Sequence, residues 1–163
     1  MPFDFNALDH EFYMREALKE AEISLKVGER PIGAVIVHDN QIIGRGRAQP
    51  LARKSEVAHA EMNAILQAEQ YLYENVHGEC VIYTTVEPCV MCLGAIVMAN
   101  IDNVVYGLED NWIKPRGMLD IDYVRRHIKN YVGGMLASAS VSLWGQSSWD
   151  ELFLLREGKQ RTE

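Results

Sequence analysis

The chain has 163 residues, of which 48% are hydrophobic and 24% charged, a size and balance that suit one buried core. Its formal net charge of -7 excludes a general electrostatic attraction for nucleic acid, although a local basic patch remains compatible with it. Three cysteines do not make a disulfide scaffold, and neither a signal sequence nor an apolar run of about 20 residues is seen, so we expect a cytoplasmic protein with reduced thiols and no membrane segment.

The hydrophobic patterns predict alternating helices and strands. In chain order these are a helix capped at Asp9 and ended near Gly28, a hairpin of strands at 32–37 and 41–44, a polar loop at 51–56, a helix from residue 59, a strand at 81–86, a helix at 89–98 and a strand at 104–106. Weaker signals predict a loop at 112–117, a helix at 121–129, a strand at 139–144, a helix at 148–156 and a frayed tail at 157–163. We therefore expect one α/β domain over residues 1–163, with helices covering a mixed sheet.

Two short motifs stand at the starts of two predicted helices, His-Ala-Glu at 59–61 and Pro-Cys-Val-Met-Cys at 88–92. On a first helical turn Cys89 and Cys92 point the same way, so both sulfurs can reach one ion. The positive helix N-terminus favours thiolate, the form that binds zinc. The same cysteine spacing also occurs in thioredoxin-like redox sites, but the histidine upstream favours a metal.

The ligand count indicates a catalytic zinc ion. His59, Cys89 and Cys92 are three good ligands, whereas Cys80 lies at the far end of the predicted strand, roughly 20 Å away. Three protein ligands leave the fourth position of one Zn²⁺ per chain to water or hydroxide. Glu61 can then take a proton from that water and pass protons to a ring nitrogen and a leaving amine. This combination predicts hydrolytic deamination.

Together the motifs resemble the zinc-dependent cytidine and deoxycytidylate deaminase superfamily, whose signature is H-x-E followed by P-C-x-x-C. The strings at 31–35, 59–65 and 85–96 resemble its branch of tRNA adenosine deaminases, guanine deaminases and free-base cytosine deaminases, over about residues 10–107. The resemblance implies a three-layer α-β-α sandwich with a five-stranded mixed sheet. It also implies that the backbone N–H of Ala60 contacts substrate and that the chain forms a homodimer or larger homo-oligomer.

The segments that contact substrate depart from the family pattern. Ala48 stands where many members carry a substrate-binding asparagine, and residues 108–116 replace a segment typical of bacterial tRNA adenosine deaminases. Glu87 is a candidate substrate contact, with helix capping or a surface role as the alternative. Trp112 can stack on a planar base or serve in packing. Reaction type is therefore predicted more sharply than substrate.

The leading hypothesis is a deaminase of a small free base, nucleoside or related amino-heterocycle. The first alternative is deamination of adenosine to inosine in tRNA, which would require a basic RNA-binding surface. Arg45, Arg47, Arg53 and Lys54 form a small basic group that could serve it. A zinc-stabilised scaffold without activity and a thiol redox protein are the remaining alternatives.

Overall fold

The computed structural model describes residues 2–160, in which helices and strands alternate. The elements are α1 (His10–Lys26), β1 (Gly33–His38), β2 (Gln41–Arg47), α2 (Pro50–Arg53), α3 (Ala60–Asn75), β3 (Val81–Val86), α4 (Val90–Met98), β4 (Asn103–Leu108), α5 (Asp122–His127), β5 (Asn130–Val132), α6 (Ala137–Gln146) and α7 (Leu152–Glu157), with 3-10 helices at Phe5–Ala7 and Pro115–Asp120. Within this part of the chain, no helix combines the length and apolarity needed to cross a bilayer.

The first helix and the hairpin form as their local signals predict. The Asp9 side chain caps α1 by accepting a hydrogen bond from the Phe12 backbone N–H at 3.0 Å. Strands β1 and β2 are antiparallel and joined through Asp39 and Asn40, whose φ angles are 50° and 58°. This left-handed pair matches the twist of a hairpin, which explains the choice of Asp-Asn there.

The five strands form one mixed sheet in the order β2-β1-β3-β4-β5. Strand β1 is antiparallel to both its neighbours, whereas β3, β4 and β5 run parallel. Val86 pairs with Leu108, so the carboxyl ends of β3 and β4 meet at one edge of the sheet. Side chains that follow these strands are thereby brought together, and the candidate site lies there.

Helices cover both faces of the sheet, which confirms the α-β-α sandwich. Alternate residues of β1 point to opposite faces: Ala34 and Ile36 pack in the core beneath α3 and α4, and Val35 and Val37 pack in the core beneath α1 and α6. Every residue of β3 and β4 is buried, as expected for parallel strands covered on both sides.

A close approach of β2 to α3 sets the position of the candidate site. A Cβ atom on Gly46 would lie 2.1 Å from the Ala60 carbonyl oxygen and 2.3 Å from the Ala64 nitrogen. Only glycine lets the strand pass this near to the first turn of the helix. The Gly-x-Gly spacing of β2 therefore fixes where α3 begins relative to the sheet.

The prediction of a strand at 139–144 is wrong, because these residues lie in α6. Serine alternates there with Ala139, Val141 and Leu143, which imitates the two-residue period of a half-buried strand. In the structure Ser140, Leu143 and Trp144 are the buried residues, and their spacing of three and four is helical. Packing against α1 and β4 therefore determines that this segment forms a helix and not a strand.

Smaller differences occur in the connections. Pro50–Arg53 form the short helix α2 where a loop was predicted from residue 51, and Pro115–Asp120 form a 3-10 helix at the predicted loop of 112–117. The edge strand Asn130–Val132 was not predicted. Of the predicted frayed tail, Glu157 ends α7, and residues 161–163 lie outside the described residues.

Candidate active site

Two helices begin side by side at the carboxyl end of β3. His59 is the N-terminal cap residue of α3 and Cys89 that of α4, both with extended backbone. Glu87 and Pro88 connect β3 to this second cap. The first N–H groups of each helix lack intrahelical partners, so the two ends give positive potential that favours thiolate and other anions.

The three predicted ligands converge between these helix ends. His59 Nδ1 lies 3.5 Å from the Sγ atom of Cys89 and 3.5 Å from that of Cys92, and the three ligand atoms lie within 4.8 Å of one another. Tetrahedral zinc with its usual bond lengths separates a nitrogen and a sulfur ligand by roughly 3.6 Å. The donor set therefore fits a zinc ion. Cys80 is buried at the start of β3 outside this group, and burial raises its pKa to about 12.

The pKa values of the Cys89 and Cys92 thiols are shifted in opposite directions. A hydrogen bond from Cys92, with a second from His59, lowers the pKa of Cys89 to about 4. The pKa of Cys92 is raised because it keeps the shared proton and because it is buried. The Cys89 thiolate in turn raises the pKa of His59. Cys89 thus supplies a thiolate, the form in which a cysteine binds zinc.

Glu61 lies in the first turn of α3, with only 4% of its surface exposed. Burial raises the pKa of its carboxyl group, which favours the protonated form. The Thr84 hydroxyl lies 2.9 Å from Glu61 Oε1 and 3.0 Å from the Val86 carbonyl oxygen. When Glu61 is charged, the Thr84 hydroxyl can donate its proton to the Glu61 carboxylate. When Glu61 is protonated, the Glu61 carboxyl group can donate to the Thr84 oxygen, and the Thr84 hydroxyl then donates to the Val86 carbonyl. Thr84 can therefore serve both protonation states of Glu61.

Comparison with known proteins agrees with this geometry. The sequence pattern of the family described as MafB19-like deaminase matches residues 8–136. The chain belongs to that family. It is therefore a hydrolytic deaminase, and the predicted class of enzyme is confirmed.

The relatives of this deaminase act on different substrates according to their names. This chain is 44% identical over 110 residues to a tRNA-specific adenosine deaminase of Streptococcus pyogenes serotype M18 (strain MGAS8232). The match covers 68% of each chain. In other strains of that species the same match covers 63% of the relative. A structure from a study of tRNA:A34 deaminases aligns at TM-score 0.69 and 29% identity, over 81% of this chain and 98% of the other. Guanine deaminase from Bacillus subtilis aligns at TM-score 0.59 and 34% identity, over 71% and 72%.

A cavity of about 340 Å³ opens beside the three predicted ligands of this deaminase. Seven of the eight residues predicted for the site line it, namely Ala48, His59, Ala60, Glu61, Glu87, Cys89 and Trp112. The eighth, Cys92, is buried behind them, in contact with His59. The structure thus brings all eight together. Their individual roles stay predictions.

Ala48 contributes a methyl group to the cavity wall in place of a polar side chain. It is 3% exposed, and its backbone is held on both sides by hydrogen bonds, from Ala48 N–H to the Ile32 carbonyl at 3.0 Å and from the Ser24 hydroxyl to the Ala48 carbonyl at 2.8 Å. The backbone path is therefore fixed. The wall lacks the amide that the resemblance associates with this position.

Glu87 and Trp112 have different surroundings in the cavity wall. Glu87 accepts hydrogen bonds from the Asp110 N–H at 3.0 Å and the Tyr131 hydroxyl at 2.7 Å, which tie the ends of β3, β4 and β5 together. Trp112 is 48% exposed at the rim, and its backbone N–H donates to Asp110 Oδ1. Protein partners thus occupy both oxygens of Glu87, whereas the ring of Trp112 is open to solvent.

The sequence analysis missed several residues of the cavity wall. Asp110 lies two residues beyond the end of β4, and the rule that parallel strands end at one edge of a sheet could have found it. Arg30, Trp144 and Glu151 have no motif around them and come from segments far apart in the sequence. Only the folded chain brings them to the site.

Two of the four residues in the basic group proposed near the site are paired with carboxylates. Arg45 forms an ion pair with Glu16 at 2.7 Å, and Arg47 lies 3.6 Å from Glu20. Both carboxylates belong to α1, on the face of the sheet opposite to α3. These two arginines therefore stabilise the packing of α1, and they are not free cations at the cavity.

Proposed function

We propose that this deaminase binds one Zn²⁺ ion through His59, Cys89 and Cys92 and removes the exocyclic amine of a small free base or nucleoside. The proposal of zinc is supported by the spacing of the three donor atoms and by the thiolate character of Cys89. When bound, zinc activates a water molecule by lowering its pKa to about 7. Thiolate ligands of this kind suit a reducing compartment such as the cytoplasm.

Glu61 is proposed as the proton carrier. The reaction adds one water and releases one ammonia, so protons must leave the water and reach the ring nitrogen and the departing amine. The raised pKa of Glu61 suits it to hold a proton between these steps. Thr84 would keep the carboxyl group oriented throughout, and the Ala60 N–H would bind substrate at the start of α3.

The polarity of the cavity is the observation that favours a small substrate. Among the described residues, five side chains with carboxyl groups line it: Glu56, Glu61, Glu87, Asp110 and Glu151. The Arg30 guanidinium is bound to Glu151 at 2.6 to 3.0 Å. Arg30 is the one Lys or Arg side chain in the described lining, so the wall offers no free Lys or Arg cation to the phosphate backbone of RNA, whereas a neutral heterocycle needs none. The volume also suits a base or nucleoside.

The test is ammonia release by the zinc-loaded protein, with a panel of guanine, cytosine, adenine, their nucleosides, related amino-heterocycles and tRNA. Glu61→Gln is the matched control, because it keeps the shape of the side chain but cannot carry the proton. We expect release from a free base or nucleoside, reduced at least 10²-fold in the control with zinc content unchanged. Silence across the panel with zinc in place would contradict the proposal.

Adenosine in tRNA is the second candidate substrate, because relatives at 44% identity are named tRNA-specific adenosine deaminases. It would require tRNA binding that weakens steeply as salt rises. Ammonia release from tRNA alone, together with such binding, would establish this candidate over the first.

A homo-oligomer is proposed for the assembly. The outer surfaces of α4 and of the segment entering α5 expose large apolar side chains, among them Val90 (51%), Met98 (71%), Ile121 (52%) and Tyr123 (45%). Apolar surface of this kind is typical of contacts between chains. The mass of the purified protein by light scattering tests this proposal.

A further inference from the structure

Two parts of the cavity wall come from segments that lie far apart in the sequence. Ala48 and Pro50 line it from the end of β2 and the start of α2, and Glu151, Leu154 and Leu155 line it from the start of α7 and from α7 itself. Neither part belongs to a strand, or to the helices α3 and α4 that carry the predicted catalytic and metal-binding residues. The connector between α1 and β1, residues 27–32, contacts both.

The first of these contacts is made by Glu29, a carboxylate that is only 2% exposed. Its Oε1 atom accepts a hydrogen bond from the Ala52 N–H at 2.7 Å, and its Oε2 atom accepts one from the Leu51 N–H at 3.2 Å. Pro50 begins α2 and has no N–H, so these are the first two N–H groups of that helix, which lack partners within it. Glu29 therefore fixes the start of α2, where Pro50 lines the cavity.

The second contact is made by Arg30, the next residue along the chain. Its Nε and Nη2 atoms donate to both carboxylate oxygens of Glu151 at 2.6 to 3.0 Å, and its guanidinium lies 4.0 Å from the centre of the Trp149 ring. The Trp149 Nε1–H in turn donates to the Gly28 carbonyl at 3.0 Å. The hydrogen bonds to Glu151 raise the pKa of Arg30, so the guanidinium stays charged. Arg30 therefore fixes the start of α7, where Glu151 lines the cavity.

We propose that Glu29 and Arg30 are positioning residues, which act through α2 and through Glu151 to hold these two parts of the wall against a bound substrate. The inference rests on the proposed function, because it assumes that an amino-heterocycle binds in this cavity. Neither side chain holds the first turn of α3, which carries Glu61. Their loss should therefore weaken binding and raise KM, with kcat little changed.

A double-mutant cycle on Arg30 and Glu151 in the zinc-loaded protein tests the inference. Arg30→Met keeps an unbranched chain beside Trp149 without the charge, and Glu151→Gln keeps the shape of the carboxylate. KM is measured for guanine, cytosine, adenine and their nucleosides. For each compound that the wild-type protein deaminates, we expect either variant to raise KM roughly 10-fold, on the order of one lost hydrogen bond.

The double variant separates positioning from direct contact with substrate. If Arg30 acts through Glu151, Arg30→Met combined with Glu151→Gln should raise KM no further than either change alone, because the same contact is lost in all three proteins. If each side chain contacts the substrate itself, the two effects multiply, and the assigned role of Arg30 is wrong. The matched control is the exposed ion pair of Arg15 and Glu11 on α1. Arg15→Met combined with Glu11→Gln should leave KM unchanged.

Glu29→Gln tests the other half of the connector and has a readout that does not need turnover. The amide keeps one acceptor but places an NH₂ group against the second N–H, so hydrogen exchange at Leu51 and Ala52 should become faster. We expect KM to rise about 3- to 10-fold with it, at unchanged zinc content. Faster exchange with an unaltered KM would show that Glu29 serves only the fold, and would overturn the inference while the proposed function stands. Failure of the wild-type protein to act on any base or nucleoside would contradict both.

Discussion

At the scale of single residues, the proton transfer proposed for Glu61 depends on how its side chain is held. Its carboxyl group is buried and has the Thr84 hydroxyl as its side-chain partner, within reach of the Val86 carbonyl. The motif His-Ala-Glu predicted Glu61 and its neighbour His59, because local spacing on a helix start determines both. Thr84 could not be predicted in this way, since it lies in the middle of a strand 23 residues further on, and only sheet packing makes the contact.

Thr84→Val should slow the reaction without weakening substrate binding. Valine has nearly the same shape but offers no hydrogen bond to either protonation state of Glu61, so we expect kcat to fall roughly 10-fold with KM little changed. Thr84→Ser restores a hydroxyl and should recover most of the rate. Steady-state kinetics on the zinc-loaded variants gives both values. If serine fails to rescue at full zinc content, the effect comes from packing and the assigned role of Thr84 is wrong.

At the scale of elements, most of the architecture was predictable from local signals. The Asp9 cap, the Asp39-Asn40 turn and the two helix starts at the site all occur as the sequence predicts. The failure at 139–144 has a physical cause, because alternating small residues satisfy a strand and a helix equally well. Because of this error, the part of the cavity wall that α6 supplies was not predicted.

Gly46→Ala tests whether the contact between β2 and α3 positions the site. The added Cβ atom would collide with the backbone of Ala60 and Ala64, and overpacking of this kind costs about 1–3 kcal/mol. For a chain of this size we expect the melting temperature to fall by roughly 2–12 °C. We expect kcat to fall as well, since the turn that carries Glu61 must shift.

The matched control is Gly145→Ala on the exposed side of α6, where a Cβ atom meets nothing within 4 Å. Alanine favours helix over glycine by about 1 kcal/mol, so this variant should hold or gain stability. A Gly46→Ala protein as stable and as active as the control would show that the close approach is not required.

At the scale of the whole molecule, the two faces of the sheet serve different purposes. The face beneath α3 and α4 adjoins the proposed metal ligands, whereas the face beneath α1 and α6 is a core that joins the N-terminal helix to the central strands. In that second core Tyr83 of β3 lies between Tyr13 and His10 of α1, and His10 Nδ1 is 2.8 Å from the Tyr83 hydroxyl. Protonation of His10 at low pH can therefore destabilise this core without involving the residues of the candidate site.

His10 should make stability fall as the pH drops below about 6.5, the usual pKa of a histidine. Burial lowers its pKa below the usual 6.5 and outweighs the opposing effects of the Phe5 carbonyl and Asp9. Because the folded protein favours neutral His10, this contribution is complete above the unfolded pKa and is lost as pH falls through the folded pKa. The melting temperature should thus decline over this range, and less so in His10→Asn, which retains an acceptor near Tyr83. His77→Asn, which changes an exposed histidine, should leave the decline unaltered. A pKa for His10 at or above 6.5 in an NMR titration would refute this account.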